Sequence, residues 1–150
     1  MKRFHFSLRP AAVLRAHREL LAREALATAL RALGEAQIRL TAARERSAEL
    51  ETVIAAGRRK QFQPAAEAVF YQAYLGSRAA ELEHEKQVAA AAAELQRRRN
   101  ACIEANRELK VIERIELRAR EAHRQENLRS EQNEIDEIAG FRAFQTSSSL

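Results

Sequence analysis

The sequence predicts an all-α fold, an antiparallel two-helix coiled-coil hairpin with an overhanging C-terminal helix. Three observations lead there. Positions 22, 26, 29, 33, 36, 40, 43, 47, 50 and 54 read Ala, Leu, Ala, Leu, Ala, Leu, Ala, Ser, Leu, Ile. Steps of four and three keep that stripe on one side of a helix, as a coiled-coil seam requires. Gly57, Arg58-Arg59-Lys60 and Pro64 then fall together and punctuate the helix. Finally, the chain has two Pro, four Gly, no Trp and 31% charged residues, the profile of long helices rather than of a compact domain.

Each element follows from these signals. Pro10 suits the first turn of helix one, where its missing donor costs nothing, and the seam carries that helix to about residue 56. From 8 to 22 the pattern widens, because Val13, Leu14, Leu20 and Leu21 form two adjacent stripes. Gly57 stands where a left-handed C-terminal cap is expected. The cations at 58–60 suit the negative end of the helix dipole. A short turn over 57–63 implies antiparallel helices. Helix two is expected over about 64–139, with Val88, Ala91, Leu95, Cys102, Ala105, Leu109 and Ile112 on its seam and Arg98 turned outward. Gly140 is expected to end it, and the tail 140–150 to be disordered.

At 1.5 Å per residue, helix one comes to about 70 Å and helix two to about 114 Å. With the turn centred near residue 60, residue i faces roughly residue 120 − i. About 30 residues from near Lys110 onward then overhang, which leaves Ile112, Ile115, Leu117, Leu128, Ile135 and Ile138 wet. Aromatics are confined to Phe4 and Phe6 at the start, Phe62, Phe70, Tyr71 and Tyr74 around the turn, and Phe141 and Phe144 near the end. Those at the turn read either as a plug for the hairpin tip or as an exposed docking surface.

Charge is unevenly spread. Residues 1–31 hold seven basic side chains against two acids, whereas 110–142 hold seven against eight. The basic beginning suits acidic protein loops or anionic lipid. The single cysteine, Cys102, points to a reducing compartment and reads as a small buried hydrophobe. No stretch has the ~20 apolar residues of a membrane span, and no signal peptide follows the basic start. The expected location is the cytoplasm or the periphery of a membrane.

Little in the pattern points to catalysis, and no enzyme is expected. The glycines are isolated and none forms a phosphate loop. His5, His17, His84 and His123 are too dispersed for a metal centre, so neither metal nor cofactor is expected. The Arg97-Arg98-Arg99 and Arg58-Arg59-Lys60 runs lack interleaved aromatics, which argues against nucleic acid as a partner. No small-molecule substrate is implied.

Three stretches carry a family resemblance. Phe4-His5-Phe6-Ser7-Leu8-Arg9-Pro10 with Val13-Leu14-Arg15 resembles the opening of the flagellar export protein FliJ family. Glu131-Gln132-Asn133-Glu134-Ile135-Asp136-Glu137-Ile138-Ala139 is similar to that family's closing pattern, with Asn133 where lysine is usual. Tyr71-Gln72-Ala73-Tyr74-Leu75 resembles the aromatic stretch opening its second helix, although Ser47 to Ile54 on helix one carries no aromatics.

The resemblance implies a non-catalytic stalk of the type III export apparatus. Such a stalk binds and stimulates the export ATPase hexamer and couples it to the membrane export gate, with other export chaperones as further partners. Leu14, Arg15, Glu131, Gln132, Ile135, Asp136 and Glu137 would then meet the ATPase ring. Tyr71, Tyr74 and Leu75 at the hairpin tip would meet the gate. Alternatives are the stalk of a virulence-type secretion system, a dimeric coiled-coil scaffold, and an export chaperone gripping subunits with its tip aromatics.

Overall fold

The computed structural model describes residues 3–147, with side chains as far as Phe144. Two helices account for nearly all of it, α1 (Arg9–Arg59) and α2 (Pro64–Ser147), and no strand occurs among the described residues. The fold is all-α. Contacts divide the chain into two compact units: unit 1 joins the two ends, 1–19 with 105–150, and unit 2 is the hairpin 20–104.

In unit 2 the α1 seam faces α2. All ten positions from Ala22 to Ile54 are buried or half-buried, with Ala36 at 3% exposure. Phe70, Tyr74, Ser77, Glu81, His84, Val88, Ala91 and Leu95 continue the four-three spacing on α2 and are likewise covered. Alanine layers let the backbones approach and the leucines fill the space between them. Ser47, the one polar residue of the α1 stripe, is buried against Ser77, with their hydroxyl oxygens 3.0 Å apart. One hydroxyl donates to the other, and a polar layer of this kind penalises slipped registers. Arg98 is exposed and donates to Glu94 at 2.6 Å. That bond, and then nearby Arg97, holds the Glu94 carboxyl below its usual range. The depressed pKa means that this contribution is present at neutral pH and fades as acid protonates Glu94.

The turn departs from expectation. Gly57 is helical, α1 runs on to Arg59, and Gln61 takes the left-handed conformation at φ 57°. The Phe62 and Lys60 amides both donate to the Gly57 carbonyl, and the six-to-one bond from Phe62 marks a Schellman cap with Gln61 at its left-handed position. Gly57 is small for another reason: a β-carbon there would run into the Phe62 ring. Replacing Gln61→Gly removes the strain and is expected to stabilise the chain by about 0.5–1 kcal/mol in urea melts.

On the part of α1 that lies in unit 1 the large apolar residues do not mark the interior. Val13 and Leu14 are 62% and 50% exposed, and the seam runs through Ala12, Arg15 and Glu19 instead. The helical phase set by the seam overrides side-chain hydrophobicity there. Leu20 and Leu21, in unit 2, are exposed for the same reason.

Ile112 is also corrected. It is 2% exposed, the lowest value among the buried apolar residues, because the first turns of α1 lie across from it. The pairs Arg15–Glu108, Arg9–Glu116 and Phe4–His123 place residue i opposite about 125 − i, so α2 is covered further along than the ruler implied. Ile115, Leu117, Leu128, Ile135 and Ile138 are exposed as expected. Gly140 does not end α2, which continues as helix to Ser147. The expected disordered tail otherwise concerns 148–150, which lie outside the described residues.

Candidate functional site

No group of His, Cys, Asp or Glu among the described residues is arranged to hold a metal ion, and no helix is long and apolar enough to cross a membrane. The surfaces with chemistry to offer are those that other proteins can cover.

The first surface lies in unit 1. Beyond Asn127 every described side chain of α2 up to Phe144 is exposed except half-buried Glu131. Leu128, Ile135, Ile138 and Phe141 stand 55–64% in solvent. Between the apolar residues lie Glu131, Glu134, Asp136 and Glu137. Leu128 and Ile135, seven residues apart, point the same way from a helix, with Glu131 one turn between them. Gln132 donates to Asp136 at 2.8 Å. Of the expected ring-binding residues, Gln132, Ile135, Asp136 and Glu137 share this exposed stretch, with Glu131 beside them. On α1, Leu14 is exposed, whereas Arg15 is half-buried and donates to the Glu108 carbonyl at 3.0 Å. Arg15 therefore also holds α1 to α2.

The second surface belongs to unit 2, whose two edges differ. On one edge Arg44, Glu51 and Arg58, spaced by heptads, are all engaged with α2. Arg44 meets Glu85 and Glu81 at 3.0 and 3.7 Å, Glu51 accepts from Tyr74 at 2.7 Å, and Arg58 donates to Glu67 at 2.6 Å. The bond to Glu51 raises the Tyr74 phenol above its ordinary pKa. The tip aromatics thus split in role. Phe62 and Phe70 pack with centroids 5.5 Å apart and Tyr74 is tied across the hairpin, while Tyr71 and Leu75 stand 48% and 45% exposed.

The other edge is open. Arg39, Ala42, Ala43 and Arg46 of α1 and Ala73, Gly76, Ser77, Ala80 and His84 of α2 line a groove of about 580 Å³. A floor of alanine and glycine admits the large side chains of another helix. Arg39 and Arg46 stand exposed beside it. Sequence reasoning passed over this groove because the signal is an absence: α2 offers Ala73, Gly76 and Ala80 where the opposite edge offers Glu67, Glu81 and Glu85.

Fold and surfaces together define a class, an all-α protein built from two long, paired helices. The family described as "Flagellar FliJ protein" matches residues 19–148, and the chain belongs to that family. No curated protein and no solved structure matches it.

Proposed function

We propose that the chain is the non-catalytic central stalk of the flagellar type III protein export apparatus, binding and stimulating the export ATPase ring and coupling it to the membrane export gate. The observation that carries this reading is the α2 stretch from Leu128 to Phe144, helical yet exposed, with apolar and acidic side chains interleaved. A protein socket that buries the apolar residues supplies what the chain does not. Leu14, Glu131, Gln132, Ile135, Asp136 and Glu137 are the ring contacts in this proposal, with Arg15 bracing the helix behind them. The stalk acts in the cytoplasm and at the inner face of the membrane, and other export chaperones are further partners. Family membership supports a role in flagellar export.

Unit 2 is the part proposed to meet the gate. Tyr71 and Leu75 supply exposed apolar contacts beside Tyr74, and the groove at Arg39 and Arg46 fits an acidic amphipathic helix. Two variants of the full chain separate these surfaces in binding to the gate's cytoplasmic portion. Arg39→Glu/Arg46→Glu is expected to weaken binding about tenfold or more, a loss of ~1.4 kcal/mol. Tyr71→Ala/Leu75→Ala tests the tip. Full binding by both variants contradicts gate docking through unit 2.

A further inference from the structure

We infer that residues 3–8 form a displaceable strap over a docking face of α2, and that this face takes a basic, apolar segment of a partner protein in the strap's place. The inference rests on the reading of unit 1 as the ring-binding end.

The strap is held by few contacts. Residues 3–6 have no regular structure, and a turn at Ser7–Leu8 leads into α1. Its backbone carbonyls at Phe6 and Leu8 accept from the Arg9 and Ala12 amides at 3.2 and 3.0 Å, which joins the strap to the start of α1 without touching α2. Side chains supply the grip. Phe6 is 9% exposed, the Phe4 ring meets His123 edge-on at 5.4 Å, and the Arg120 guanidinium lies 5.6 Å from the centre of the Phe4 ring. Segments tied down so sparsely open far more readily than a packed helix.

The fit is also incomplete. A hollow of about 280 Å³ remains among Phe4, His5, Phe6, Arg9, Glu116 and Arg120. Nε2 of His123 is buried without a hydrogen-bond partner, although buried polar atoms are ordinarily paired. A better-matched occupant fills the hollow and satisfies that nitrogen.

Electrostatics allow the exchange. Glu116 accepts from Arg9 at 3.2 Å and from Arg120, on its own helix, at 2.6 Å. Arg9 is the first residue of α1, and even where its contact is lost as the strap leaves, Glu116 keeps Arg120 and no bare carboxylate results. The strap also displays the chemistry its replacement needs, two large apolar side chains and an arginine. Further along α2, Glu126, Glu131, Glu134, Asp136 and Glu137 outnumber Arg129, which extends the preference for a basic partner.

The test uses the full chain in two forms. Phe4→Ala/Phe6→Ala frees the strap, and Phe4→Cys/His123→Cys in a Cys102→Ser background locks it on oxidation. Amide exchange of the isolated freed variant is expected to rise along residues 112–127 and stay unchanged along 70–95. Its binding to the export ATPase is expected to tighten about three- to tenfold as the competent fraction grows. The oxidised locked form is expected to bind more weakly than its reduced form. Unchanged exchange overturns the cover, whether or not the ATPase responds. Raised exchange with weaker ATPase binding shows the strap to be part of the docking surface and overturns its displacement. Failure of the unmodified chain to bind the ATPase counts against the stalk function, while the exchange experiment still decides the strap.

Discussion

Leu128→Glu/Ile135→Glu is expected to abolish stimulation of the export ATPase without unfolding the chain. Both side chains stand more than half in solvent at 55% and 59%, so carboxylates there replace wet apolar surface at little cost to stability. In a ring socket the same carboxylates are desolvated and add to the charge of Glu131, Glu134, Asp136 and Glu137. Interface anchors of this kind contribute about 2 kcal/mol or more each, so each substitution should weaken binding by roughly 30-fold and the pair by up to about a thousandfold. Circular dichroism melts check that the helix persists, and ATP turnover reads the function. Deleting residues 128–150 should give the same loss. A double variant that stimulates like the parent removes this stretch from the mechanism.

Ile112→Ala is expected to do the reverse, destabilising the chain by about 2–4 kcal/mol, as other large-to-small core substitutions do. Its side chain is 2% exposed, and the start of α1 lies across from it, between the pairs Arg15–Glu108 and Arg9–Glu116. Truncation leaves a cavity that two helices cannot close. Thermal and urea melts measure the loss, and amide exchange locates it in unit 1. Ile135→Ala is the matched control, expected to alter stability by no more than about 0.5 kcal/mol.

Ile112 and Ile135 also mark where the sequence was readable. The seam from Ala22 to Ile54 could be read directly, since an unbroken four-three repeat leaves one face for burial and the structure buries it. The ends were harder. An irregular strap has no period, so nothing in Phe4-His5-Phe6 announced that it packs at Arg120 and His123. Val13, Leu14, Leu20 and Leu21 formed two adjacent stripes without deciding which phase faces inward, and the structure gives the inner phase to Arg15 and Glu19. At the turn, glycine is the usual left-handed residue, and Gly57 drew that role away from Gln61. Gly57 is instead small to make room for Phe62, a contact five residues away that no local rule supplies.

The candidate surfaces divide in the same manner. The acidic apolar stretch after Leu128 could be read because the ruler placed it beyond the start of helix one, and Leu128, Ile135 and Ile138 are exposed there. The groove beside Arg39 and Arg46 could not, since it consists of small residues on two helices whose pairing emerges only from the hairpin's register. Resemblance pointed to Tyr71, Tyr74 and Leu75 as one group, yet Tyr74 spends its hydroxyl on Glu51. Tyr71 and Leu75 are the more exposed of the three, at 48% and 45%.

The central claim is that one chain serves a whole ring as its stalk. The most direct measurement is ATP turnover by the export ATPase across a titration with the full chain. The stalk account predicts stimulation that saturates well below one chain per ATPase subunit. No stimulation at any ratio, or saturation only at one chain per subunit, contradicts it and favours a coiled-coil scaffold.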